Sequence, residues 1–216
     1  MKRRLFILLS LWSFLAAGQT FTTVEPEKAP FWRRKEKLWA RMLEERHVVV
    51  AVKTQKSKLT GFKEELYLQG AGVTAAPMAL TEQVGRRFED YPKISSFVKS
   101  ASYVPETRIL TMHTQAFNYS AHLKMRLRFE EPSASKHEIR FQVIAGKFSG
   151  LTGVVSFEDL GSSRTLTAIT GQMGFHKLPM PVFFVEFGLE VALRLMATKM
   201  RAFAEAEFSR GKKSVK

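Results

Sequence analysis

The sequence predicts an α+β fold: a curved antiparallel β-sheet of about six or seven strands wrapped around a long C-terminal α-helix, with a short helix after the first core strand. Three observations carry this. Residues 119–129 (YSAHLKMRLRF) alternate apolar and polar at every position, the period of a strand with one dry and one wet face. Strand-like segments then follow one another as far as residue 175, separated by short turn signals that favour antiparallel neighbours. From Pro181 to about 208 the apolar residues Val182, Val185, Leu189, Ala192, Met196, Met200 and Phe203 recur at helical spacing.

The N-terminus reads as an export signal. Lys2-Arg3-Arg4 precede an uncharged apolar run, Leu5 to Leu15, and Ala16-Ala17-Gly18 place small residues before Gln19. Residues 1–18 are therefore expected to be a signal peptide that sends the protein out of the cytoplasm, most simply to a periplasm. The alternative is an uncleaved anchor in the inner membrane, for which the run is short of the ~20 residues a span needs. The chain has no cysteine, which excludes disulfides, thiolate catalysis and cysteine-based metal sites.

Residues 19–46 are a leader and an amphipathic helix. Within it, 31–46 (FWRRKEKLWARMLEER) align Trp32, Trp39, Met42 and Leu43 on one stripe. That helix either packs on the domain or lies on a membrane surface. Residues 47–56 and 62–75 read as strands, with Gly70 and Gly72 suggesting a bulge or bend. Pro77 opens a helix carrying Met78, Val84 and Phe88, which is expected to stop before Tyr91-Pro92. Strands follow at roughly 97–105, 107–117, 119–130, 136–145, 151–159 and 164–175. Residues 47–208 form one domain without internal repeats, and 209–216 a basic, fraying tail.

Motifs of chemistry are sparse. The five histidines show no metal-binding spacing, and no nucleophile elbow, phosphate loop or dinucleotide fingerprint is present, so no cofactor and no metal is expected. His122 and His137 are read as solvated on wet strand faces. His113 is either a backbone-bonded core histidine or, if it faces inward, a polar handle in a cavity. The dry faces supply the ligand-pocket candidates: Tyr119, Leu123, Met125, Leu127 and Phe129; Ile139, Phe141 and Val143; Val155 and Phe157. Val185, Leu189 and Met196 on the long helix face them. Any sheet domain needs such faces, so they fit a filled core as well as a cavity.

The net charge is +14, or +11 without Lys2, Arg3 and Arg4. Export argues against a nucleic-acid partner and leaves anionic membrane surfaces. The wet face of the alternating strand, with Lys124, Arg126, Arg128 and also Arg140, is the membrane-facing candidate. A basic surface that only keeps the protein soluble is the other reading. Nothing in the sequence sets an oligomeric state.

Three stretches resemble the START-like (SRPBCC) superfamily with its helix-grip fold, within it the polyketide-cyclase/coenzyme Q-binding branch. They are GAGVTAAP (70–77) leading to FEDYPKISSFV (88–98), GKFSGLTGVVSFEDLGSSRTLTAITGQM (146–173), and LPMPVFF (178–184) opening the last helix. These motifs mark turns and core rather than chemistry. The resemblance implies a sheet gripping the C-terminal helix around a hydrophobic tunnel, and a partner that is a lipid, a quinone or another hydrophobic small molecule. It also admits a cyclase or aromatase-like enzyme; apart from the resemblance, the apolar strand faces and the basic outer face leave open an envelope-associated structural protein with a filled core. The export signal departs from the quinone-binding and polyketide-cyclase members.

Overall fold

The structure is a computed structural model that describes residues 30–58, 60–116, 119–177 and 181–214. The expected signal peptide and most of the leader lie outside the described residues. The elements run α1 (Glu36–Glu44), β1 (Val49–Lys56), β2 (Glu64–Thr74), α2 (Met78–Arg86), a single 3-10 turn (Phe88–Asp90), α3 (Tyr91–Ile94) and β3 (Val98–Val104). They continue with β4 (Ile109–Ala116), β5 (Tyr119–Phe129), β6 (Lys136–Gly146), β7 (Thr152–Asp159), β8 (Thr165–Phe175) and α4 (Val182–Ser214).

The eight strands form one antiparallel sheet in the order β1-β2-β8-β7-β6-β5-β4-β3. That is more than the six or seven expected, because β1 joins the sheet as a full edge strand paired with β2 from Val49↔Ala71 to Lys56↔Glu64. β2 pairs with β8 without interruption, so Gly70 and Gly72 make no bulge. They sit instead where an added Cβ would press on Val49, Val50 or Val48 at 3.1–3.3 Å. The register shifts fall in β3, between Val98 and Ser100, and in β5, between Lys124 and Met125. At the second shift Gly146 has φ +105°, and a Cβ there would sit 1.9 Å from the His122 carbonyl oxygen. A side chain cannot fit, which is why glycine ends β6.

Alternation assigns the faces. The inner face carries Leu66, Leu68, Leu110, Leu127, Ile139, Phe141, Val143, Phe157, Met173 and Phe175, all buried in one cluster with Val185 of α4. The outer face is clad over β1, β2 and β8, where Trp32 and Met42 are fully buried against Val49, Ala71, Val73, Leu166 and Ala168. The N-terminal helix thus packs on the domain, on the side opposite α4.

The helix opened by Pro77 ends at Arg86, before Tyr91-Pro92 as expected, and Pro92 itself stands in the first turn of α3, where its missing N–H is harmless. One further boundary differs from expectation. The tail expected at 209–216 is helical as far as Ser214, making α4 33 residues long, about 50 Å. Among the described residues no helix is long and apolar enough to cross a membrane.

Candidate functional site

The site is set by where α4 lies. It packs along β1 and β2 and against α2 and α3 rather than over the middle of the sheet. Its entry turn buries Val185, and Glu186 and Glu190 reach the backbone of β1. α2 covers another part of the inner face: its Gly85 lies so close to Phe157 that a Cβ would meet the ring at 2.9 Å. Between these two helices the inner face of β4 and β5 is less covered. Leu110 and Leu127 are buried, but Met112, Leu123 and Met125 are only partly so. On α4, Leu189 and Leu193 border the same core and are also partly buried.

The candidates from the sequence distribute accordingly. Leu127, Ile139, Phe141, Val143, Phe157 and Val185 are buried core. Leu123, Met125, Phe129, Val155 and Leu189 are packed against it with part of their surface open. Met196 lies further along α4 and is partly buried. Tyr119 begins β5, and its side chain lies outside the described residues.

His113 is corrected. It pairs with His122 across β4 and β5, on the outer face. Its ring stacks on that of His122 at 4.1 Å, and its Nε2 lies 2.8 Å from the Ser120 hydroxyl. The inner positions of β4 are its neighbours Met112 and Thr114, so His113 offers nothing to an inner cavity.

The outer face also holds Lys124, Arg126, Arg128 and Arg140. Arg128 and Arg140 both bind Glu130 at 2.7 Å, and Arg140 lies 3.7 Å from Glu138. The Arg128 hydrogen bond and charge, followed by the hydrogen bond and charge of Arg140, outweigh burial and hold the Glu130 carboxyl below its ordinary value. Arg128 and Arg140 of this basic patch are therefore already paired within the sheet.

His137 is corrected as well, from a solvated residue to an inner one. It shares the parity of Ile139 and so belongs to the inner face, where its Nδ1 meets the buried carboxylate of Glu82 on α2. Arg86 lies 2.5 Å from the other oxygen of Glu82 and stacks on the Phe129 ring at 4.5 Å. A hollow of about 340 Å³ opens beside this trio, lined by Ala79, Glu82, Gln83, Arg86 and Arg87. The sequence carries the signal: a histidine two residues before Ile139 on the same strand cannot be on the opposite face.

A second hollow, of about 290 Å³, runs along the other side of α4 past Phe187, Val191, Arg194 and Leu195. A helix has 3.6 residues per turn, which turns these positions away from Val185 and Leu189.

Comparison with known proteins agrees with this architecture. Residues 75–201 match the family described as polyketide cyclase / dehydrase and lipid transport. The structure is similar to a START superfamily protein from Mycobacterium smegmatis, with 17% identity and a TM-score of 0.52 over 65% of this chain and 97% of that one. It is similar to a protein from Thermus thermophilus, with 14% identity and a TM-score of 0.53 over 65% and 98%. It is also similar to the Zhui aromatase/cyclase from Streptomyces sp. R1128, with 13% identity and a TM-score of 0.50 over 68% and 94%. At these identities the likeness is one of fold. No curated protein is significantly similar to the chain. With the family match spanning more than half its length and the sheet closed on a long C-terminal helix, the chain belongs to the polyketide cyclase/dehydrase and lipid transport family and has the START-like helix-grip fold.

Proposed function

We propose that this protein is an exported binding protein for a lipid or another hydrophobic small molecule, held between α4 and the inner face of β4 and β5. One observation carries the reading: Met112, Leu123, Met125, Leu189 and Leu193 point toward the core yet remain partly uncovered, while the strands around them are buried. Apolar surface left open inside a fold is stabilised by an apolar guest at about 25 cal/mol per Å². Methionines suit an irregular guest because they are flexible and polarizable. Family membership supports the ligand class, and the apolar run Leu5–Leu15 supports export.

The test is native mass spectrometry of the protein purified gently from its own envelope, with organic extraction of any bound molecule. The expected result is a stoichiometric lipid-like adduct and a chain mass that begins at Gln19. Met125→Lys and Leu189→Lys, each folded by circular dichroism, should lose the adduct. A folded Leu189→Lys protein that keeps it overturns the proposed site.

A second reading, an acid–base enzyme of cyclase type, is favoured by one observation: the His137–Glu82 pair beside an open hollow. A carboxylate bound to one imidazole nitrogen fixes the tautomer and leaves the other for proton transfer. It predicts that His137→Gln abolishes turnover of a polyketide-like substrate without displacing the bound molecule.

A further inference from the structure

We propose that the protein docks on an anionic lipid membrane through one end of its sheet, where the β1–β2 hairpin, the β6–β7 turn and the start of α4 come together. This goes beyond the ligand reading and stands independently of it. The register puts these segments at one end: Lys56 pairs with Glu64, which in turn pairs with Phe175, and β6 ends at Gly146 beside the start of β5. Glu186 binds the backbone of Thr54, which fixes the first turn of α4 at the same end.

This end carries both components of a membrane-surface site. The first is apolar. Phe183, Phe184 and Phe187 are 67%, 53% and 53% exposed, and they pack on one another rather than on the protein, with ring centroids 5.6–6.0 Å apart. Phe62 at the hairpin tip is 44% exposed. An exposed aromatic cluster of this kind is unusual on a lone soluble domain and marks an interaction surface. The second component is charge. Lys56, Lys58, Lys63, Lys147 and Lys177 are all exposed, and none joins an ion pair among the described residues.

The carboxylates of this end are turned to other work. Glu65 is buried and takes hydrogen bonds from Ser57 Oγ and the Lys58 N–H at 2.8 Å each, and from the Tyr67 hydroxyl. Glu186 holds Thr54, and Glu64 is half-buried. At the opposite end the exposed charges are mixed, with Glu44, Glu45, Glu106, Glu131 and Asp159 among them. Charge complementarity therefore selects a negative partner for the lysine end. The cluster of phenylalanines selects a bilayer, whose headgroup boundary accepts apolar side chains and anionic contacts together. The Arg128–Glu130–Arg140 patch of the outer face lacks both free charge and exposed apolar side chains, and is the poorer surface.

The test uses the full chain, which has no cysteine and so takes a single label cleanly. Phe187→Cys, Glu106→Cys at the opposite end and Lys124→Cys on the outer face are each labelled with an environment-sensitive fluorophore. Vesicles of phosphatidylcholine with phosphatidylglycerol are compared with phosphatidylcholine alone. The expected result is a blue shift at 187 with anionic vesicles only, absent at 106 and 124, whatever the N-terminal segment does. Replacing Lys63 or Lys177 by glutamine should weaken insertion at 187 about fivefold each, less in high salt. A 187 label that stays aqueous, or shifts equally in neutral vesicles, or shifts together with 106, overturns the proposal. So does a 187 label already shielded before vesicles are added, which gives the face to a second copy or to the N-terminal segment. Retention of the extractable adduct in the Phe187→Cys protein separates failure of docking from failure of the ligand reading.

Discussion

Glu190 on α4 accepts the backbone N–H of Val52 at 3.0 Å. Val52 lies on an edge strand, and Glu186 does the same for Thr54 one pleat further on. At the other edge Glu89 accepts the N–H of Tyr103 on β3 at 3.1 Å. Both open edges are thus stopped by carboxylates, which satisfies donors that would otherwise recruit another strand.

Removing such an acceptor leaves a part-buried donor without a partner. Glu190→Ala should lower stability by about 1–3 kcal/mol, and Glu190→Gln by less, because the amide oxygen still accepts. Urea unfolding of the three proteins measures this. The Glu186→Ala/Glu190→Ala double variant should also self-associate through β1, visible by size exclusion.

Two glycines should respond in opposite directions to alanine. At Gly153 a Cβ would meet the Thr170 carbonyl at 2.3 Å and the Phe141 ring at 2.5 Å. Gly153→Ala should cost about 1–3 kcal/mol from overpacking. Gly188 in α4 has nothing within 4 Å of the new atom, and Gly188→Ala should stabilise by about 0.5–1 kcal/mol through helix propensity. Thermal unfolding compares the pair.

The back face should be as necessary as the front. Met42→Ala removes a fully buried side chain and should cost about 2–5 kcal/mol. Trp32→Phe should be milder than Trp32→Ala, because the buried indole Nε1 has no hydrogen-bond partner to lose among the described residues. Denaturant midpoints decide it; unchanged stability in Met42→Ala would show that α1 is dispensable.

Acid should act partly through Glu130. Its folded-state carboxyl sits below the ordinary value, so its contribution is present above the unfolded carboxylate range and is lost as pH falls through the folded value. Glu130→Gln should therefore be less stable than the parent at pH 7, by roughly half a kcal/mol, the scale of exposed ion pairs. The two proteins should converge at low pH. A pH series of unfolding midpoints checks this.

Element order is legible because alternation and helical spacing are local. The strand pattern of 119–129 and the stripe from Val182 to Phe203 both lie where their periods place them. The stripe identifies the buried side of α4, but not which strands it lies over. That depends on Glu186 and Glu190 meeting β1, pairs more than 130 residues apart. For the same reason the bond of Glu190 to Val52 and the partly open region beneath the helix are invisible there. His113 and His137 differ from expectation for a simpler cause. Each face follows from counting by two from a buried neighbour, Leu110 for the first and Ile139 for the second, whereas the polarity of an imidazole says little about which side of a strand it takes.

The cladding of the sheet is uneven, and this has a consequence for its motion. β1 and β2 lie between the N-terminal segment with α1 on the outer side and α4 on the inner, three layers deep, whereas β4 and β5 have solvent on the outer side and a partial cover on the inner. Fewer covering layers mean fewer contacts to break, so the amides of β4 and β5 should exchange with solvent ahead of those of β1 and β2. If a guest enters under α4, it is the thinly covered half of the sheet that yields to admit it, while the capped edge holds its place.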